Sequence, residues 1–571
     1  MKTTRMLAAA VLLVACGEGT TSDPERGIVS SVEITFGADA IPVGEATTLK
    51  ATAYDAARRV VDDQQATWTS ETPSVAIIED NRVIGVAPGT ATIAARIGVT
   101  TERRKLTVSN VDDVAIMDAR VTQGVQDVDG SIPMLLDALP AVVNVLFRPR
   151  MRPTPPTDVV LRVFDQRGAL KYADTSTVAG AIDDDGYLAP TAQFHIPAQH
   201  LEFGLRWQIV RDPRGLVPDD SSGNDTFPRT GTRPLPTLEL PALAVHFVPV
   251  KLTSEGGVVG AISPTLIDSY LQDVRRMLPV GKIDVTVGEP LSISQTYGVK
   301  PKGGDNVFWG RVLTQLDAAR MASMHRSKYW IGLVPRPTGY TEHEFAGYAY
   351  RPSASRGDLS GTRTSAVISF DVPGQQATRM LIAHELGHNF GRSHAPCGNV
   401  IGVDYSFPTS GGFIEQVGHD VYSWHAGLLP FVRSVPTTTG DLMGYCPVRW
   451  ASVYTYRGVM EFRRQTSLVA DVSAELRSEN ALVVSGTVSR DAIVVFPAEV
   501  RSTIIESSSR YDGVLELLDR SGRVVYTGHI ELRATGDDGS FTFMHAIARD
   551  ASQGAAGVRV RIGARTATLS M

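Results

Sequence analysis

Eleven consecutive residues could do chemistry together: His384-Glu385-Leu386-Gly387-His388-Asn389-Phe390-Gly391-Arg392-Ser393-His394. Histidines four apart on a helix lie on one face, one turn above the other. That spacing lets two imidazoles hold one tetrahedral ion, at zinc–nitrogen distances of about 2.0–2.1 Å. Glu385, next to the first histidine, can reach a water on the metal instead of the metal itself. Gly391 falls where the helix must stop, and glycine takes a left-handed conformation at little cost. The chain then turns back, so His394 can supply a third nitrogen. Three histidines leave a fourth position for water, the arrangement of a catalytic zinc site and not of a closed structural one. The bland alternative is a helix with three satisfied surface histidines, which the register of three His, one Glu and one Gly disfavours.

The string resembles the metzincin signature of zinc metallopeptidases. That resemblance implies a methionine turn beneath the metal, and Asp441-Leu442-Met443-Gly444-Tyr445-Cys446 fits it, with Met443 49 residues after His394. Met443 is then the apolar floor of the site. Tyr445 is implied as a residue that coordinates zinc or hydrogen-bonds the tetrahedral intermediate, against the plainer reading of a buried aromatic. The implied activity is hydrolysis of peptide bonds in extracellular proteins or glycoproteins by an endopeptidase, with one catalytic zinc ion and Glu385 as general base. The HELGHNFGRSHAPCG and DLMGYC strings are most similar to those of bacterial multidomain, Ig-containing zinc metalloproteases.

The elements that must position these residues lie in 245–466. Val245 to Leu252, Lys282 to Val287, Tyr329 to Val334 and Ala366 to Asp371 read as strands. Ser263-Pro264 is a good helix start, with a cap and then Pro in the first turn. Leu266, Ile267, Tyr270, Leu271, Val274 and Met277 follow at helical spacing, and further helices are expected at about 306–324, 376–390 and 452–464. This is an α/β pattern, the expected metzincin catalytic domain. Gly347-Tyr348-Ala349-Tyr350 is a candidate for the cleft-edge strand that pairs with an extended substrate. His343, Glu344, His419 and His425 are weaker candidates, since lone polar residues in loops are mostly solvated.

Three cysteines frame the compartment: Cys16, Cys397 and Cys446. Lys2 and Arg5 precede a short apolar run from Met6 to Ala15, too short to span a bilayer. It ends in Leu13-Val14-Ala15-Cys16, which resembles the bacterial lipobox, so 1–15 reads as a signal peptide and 16–28 as a lipidated tether beginning at Cys16. The expected location is the bacterial cell envelope, at the outer membrane or cell surface, with lipid as the only membrane contact. Cys397 and Cys446 are then an even pair in an oxidising compartment, where a bridge would tie the third-ligand loop to the methionine turn. Two free thiols are the alternative.

The remaining chain is β-rich. Residues 29–109 show alternating strands, and VIGVAPGTATIAA together with ATWTSETPSVAII resembles bacterial Ig-like group 2 domains. Residues 110–244 read as a second β-rich unit, in which Val142–Phe147 and Val159–Phe164 are expected to pair across the Pro-rich loop Pro153-Thr154-Pro155-Pro156. The acidic run Asp183-Asp184-Asp185-Gly186 could hold calcium but lacks the spaced ligands of a calcium loop, so a solvated turn is the expectation. Residues 467–571 read as a C-terminal β-sandwich, with a hairpin from Gly513 to Tyr526. A chain of 571 residues with 43% hydrophobic and 20% charged residues and a formal charge of −6 is folded and multidomain. It has no basic field for nucleic acid. The competing reading is a surface adhesion lipoprotein with a vestigial protease fold. Intact His384, Glu385, His388 and His394 argue against it.

Overall fold

The computed structural model describes residues 28–62, 64–109, 114–148, 150–182, 186–216, 222–298, 307–340, 346–352, 363–370, 376–468, 479–503, 511–536 and 538–571. Cys16 with its leader, Asp183-Asp184-Asp185, His343 and Glu344 lie outside the described residues. Four bodies follow in order. The first is a β-sandwich of two four-stranded sheets, in which Val32, Ile34 and Phe36 of the alternating strand Ser31–Phe36 point into the core.

The second body corrects the expected pairing. Ala141–Phe147 lies between Ile116–Thr122 and Ala192–Ile196 in one sheet, while Arg150–Phe164 pairs with Leu170–Ile182 and Arg206–Arg211 in another. The two sheets close on a common core. The reason lies in burial on both faces: Val143, Val145 and Phe147 fill the sandwich, while Val142 packs on Val421 and Val432 beyond it. A run apolar on both faces is a covered strand, not one arm of a local hairpin. The Pro-rich stretch is strand, not loop. Only 159–164 of this strand has partners on both sides, so the prolines fall in the singly paired half, with register shifts at Arg150/Thr154 and Thr154/Thr157.

The third body is built on a seven-stranded mixed sheet. Leu243–Leu252, Tyr329–Pro335 and Thr364–Ser369 run parallel, and Gly347–Ala349 is an antiparallel edge strand beside Thr364–Ser369. Both faces are covered. Helix Val307–Ala322 packs on one through Phe308, Val312 and Leu316. Helices Pro264–Tyr270, Gln272–Met277, Gln376–Asn389 and Val453–Leu468 cover the other. Ser263 caps its helix by accepting from the Leu266 N–H at 3.2 Å. The single helix expected through Met277 is two, broken at Leu271.

The fourth body is a sandwich of a five-stranded and a four-stranded sheet, with Gly513–Leu518 and Val524–Ile530 forming the expected hairpin. It is docked on the third. Arg311 and Gln315 of helix Val307–Ala322 bind Glu499, and Arg533 pairs with the buried Asp317. Among the described residues no helix is long and apolar enough to cross a membrane.

Candidate metal centre

Helix Gln376–Asn389 is fixed to the sheet by Ile382, Leu386 and, just past its end, Phe390, spaced one turn apart and fully buried. The opposite face carries His384, Glu385 and His388. The helix stops as a glycine turn. Gly391 has φ +82°, and the Arg392 N–H reaches back to the Gly387 carbonyl at 3.0 Å. The reversal brings His394 beneath the helix, so the ligand-capable nitrogens of His384, His388 and His394 all lie within 4.8 Å of one another.

Each ring is oriented by a main-chain carbonyl. His384 Nδ1 donates to Leu442 O at 2.9 Å, His388 Nδ1 to Arg392 O at 2.7 Å, and His394 Nδ1 to Ile401 O. A carbonyl only accepts, so the proton sits on Nδ1 and Nε2 is bare in every neutral ring. Burial drives the His384 and His388 imidazoles well below their ordinary pKa, with neighbouring histidines adding to the effect. Burial likewise lowers His394 to about 4. The rings are therefore neutral at physiological pH, the state a metal requires.

Nε2 of His388 and Nε2 of His394 face each other at 3.2 Å. Two bare lone pairs at that distance repel unless a cation lies between them. A tetrahedral ion bonded at about 2.0–2.1 Å holds its nitrogens about 3.3–3.4 Å apart. The Nε2 of His384 is buried with no hydrogen-bond partner among the described residues. Three neutral imidazoles with inward-facing Nε2 atoms fit a zinc ion, and the donor set is one zinc favours.

The other expected residues gather around this point. Met443 lies against the helix so closely that any side chain at Gly387 would collide with its sulfur. Tyr445 stands beside the cluster, its ring centroid 4.9 Å from that of His394 and 5.8 Å from that of His384. Glu385 is 1% exposed, and Gly347 of the edge strand comes so near its carboxylate that a Cβ there would clash. Cys397 and Cys446 are bonded, and the Tyr445 N–H donates to Cys397 O at 2.7 Å. This bridge closes a segment of 49 residues, for which chain entropy gives about 4 kcal/mol. The double variant Cys397→Ser/Cys446→Ser should lose roughly 2–4 kcal/mol in denaturant melts. An unchanged midpoint would mean the bridge adds nothing.

His419 and His425 do not join the site. His425 is exposed, and His419 is buried against the second body, its Nε2 3.2 Å from Asn144 Nδ2, contrary to the expectation of a solvated loop residue. Three supporting residues went unrecognised in the sequence. The Asp441 carboxylate accepts from the Met443 and Ser452 N–H groups, each at 2.8 Å, and from the Thr455 hydroxyl at 2.9 Å, tying the methionine turn to the start of helix Val453–Leu468. Asn389 donates to Tyr350 O at 2.8 Å and Thr364 O at 3.1 Å, pinning the edge strand to the helix. Gly536 of the fourth body packs on the His388 ring. Asp441 and Asn389 lie inside the two motifs, so their position was a signal. Gly536 gave none.

No family model matches the chain, and no curated protein matches it. Among solved structures, domains 4 and 5 of the S-layer protein SbsC are similar at 16% identity over 30% of this chain and 96% of that one, with a TM-score of 0.14. Dimeric latent PorU from Porphyromonas gingivalis is similar at 11% identity over 35% and 20%, with a TM-score of 0.14. The native conformation of E. coli alpha-2-macroglobulin is similar at 13% identity over 32% and 13%, also at 0.14. Likenesses at this level carry no argument about the site.

Proposed function

We propose that the chain is an exported, lipid-anchored zinc peptidase of the metzincin type, hydrolysing peptide bonds of extracellular proteins or glycoproteins. The observation that carries this reading is the convergence of three buried histidine side chains, with ligand-capable nitrogens within 4.8 Å of one another, next to the buried Glu385. His384, His388 and His394 would hold the ion. Bound there, zinc supplies Lewis acidity, lowering the pKa of a ligand water toward ~7 and polarising a carbonyl.

The chain's own groups do the rest. Glu385 accepts the proton of the attacking water and returns it to the leaving amine. Its burial beside Gly347 fixes the carboxylate without a flexible approach. Tyr445 offers a phenolic hydrogen bond to the oxygen on which charge develops. Gly347, on the edge strand Gly347–Ala349, supplies main-chain groups to align an extended peptide.

Purified protein should carry one zinc ion per chain by elemental analysis, and His388→Ala should carry far less. Cleavage of an unfolded protein substrate should stop with a chelator and return with zinc. Failure of carefully loaded wild-type protein to retain any transition ion would overturn the reading.

A further inference from the structure

The edge strand that borders Glu385 is already partly paired. The Arg351 N–H donates to Ala534 O at 3.0 Å, and the Gly536 N–H donates to Ala349 O at 2.9 Å. Tyr350 and Thr535 form an antiparallel bridge between these bonds. The pairing segment belongs to the C-terminal β-sandwich, and its Gly536 rests on the His388 ring. The outward Ala349 carbonyl and Arg351 N–H are thus taken by this chain. Capping begins two residues beyond Gly347, about 6–7 Å of strand at the usual rise.

The cap is anchored, not perched. Arg533 pairs with buried Asp317, Tyr348 Oη lies 2.8 Å from Ser540 Oγ, and the Thr542 hydroxyl donates to Tyr350 Oη at 3.0 Å. These bonds come from residues on both sides of the pairing segment. Displacing it would expose the buried Asp317 carboxylate and two tyrosines that are each 1% exposed. A rigid wall fits this interface better than a swinging lid.

We infer that the C-terminal β-sandwich closes one end of the peptidase cleft through Ala534–Gly536, restricting substrates to polypeptides that enter by a chain end. The inference rests on the peptidase reading and replaces the endopeptidase action that the resemblance implied with attack near a chain end. An extended peptide pairing at Gly347 meets Ala534–Gly536 after about two residues on the blocked side. Bonds deep within a long chain are excluded, and one product of every cleavage is short.

Digestion of a proteome-derived peptide library by the full chain, with cut positions mapped by mass spectrometry, tests this. Cuts within two or three residues of one terminus should exceed interior cuts by about tenfold or more. Arg533→Ala, which loosens the anchor, should spread cut positions inward, and Ser540→Ala should do so more weakly should the first variant fold poorly. Cuts scattered evenly along long peptides by wild-type protein would overturn the cap while leaving the peptidase reading intact. Zinc-loaded protein that cuts no peptide at all would overturn the peptidase reading and the cap with it.

Discussion

Glu385→Gln should lower kcat by about 10²–10⁴-fold, the usual contribution of a positioned general base, while zinc content and melting temperature stay at the wild-type values. Glutamine matches glutamate in size, which matters because the carboxylate is 1% exposed and lies against Gly347. A larger or branched replacement would push the edge strand aside and confuse chemistry with packing. The amide keeps a hydrogen-bonding head but cannot take a proton at neutral pH. The metal should stay, because the proposed donors are the three imidazoles and Glu385 is not among them. Steady-state kinetics on a cleaved peptide, with elemental analysis of the same sample, separate the two effects. Undiminished hydrolysis by the variant would rule out this residue as the base.

The second large effect is on stability. Asp317 accepts from Arg320 Nε at 2.8 Å and the Thr364 hydroxyl at 2.9 Å, and it also pairs with Arg533 of the C-terminal sandwich. Asp317→Ala leaves two largely buried guanidinium groups without their shared counter-charge, which should cost roughly 3–5 kcal/mol. Urea melts should show it, and a loss below about 1 kcal/mol would mean that solvent reaches the cluster. The pH dependence has a definite sign. Burial alone would raise the Asp317 carboxyl, but Arg320 and Arg533 outweigh it and hold it below the usual carboxylate range. A depressed folded pKa gives stability that is complete above the unfolded value and is lost as pH falls through the folded one. The wild-type advantage over Asp317→Ala should therefore persist at neutral pH and shrink only in strong acid.

The histidine cluster was legible because its spacing is local. Histidines four apart, a helix-stopping glycine and a third histidine are constraints within eleven residues, and His384, His388, Gly391 and His394 sit as that spacing requires. Met443 and the Cys397–Cys446 bridge needed only one longer step, between two motifs 49 residues apart. Helix Gln376–Asn389 lies within a residue of the expected 376–390, while helix Val453–Leu468 runs one turn past the expected end at 464. What failed was non-local. Val142–Phe147 reads as a strand, but nothing in its residues says that its neighbours are Ile116–Thr122 and Ala192–Ile196. The Pro-rich stretch misled because proline forbids central ladder bonds, yet a strand paired on one side tolerates it. Gly536 was invisible for the same reason. A glycine in a distant β-domain shows its purpose only once His388 is seen beside it.

The three carbonyls that orient the histidine rings belong to Leu442, Arg392 and Ile401, so the buttressing of the centre is written in chain path and not in side-chain identity. No point replacement at those three positions can delete the supporting oxygen. The residues behind the rings are free to drift in type as long as the backbone keeps its course. Loss of ring alignment would come instead from insertions, deletions or proline at the two turns, which makes loop length the quantity that sequence change must preserve.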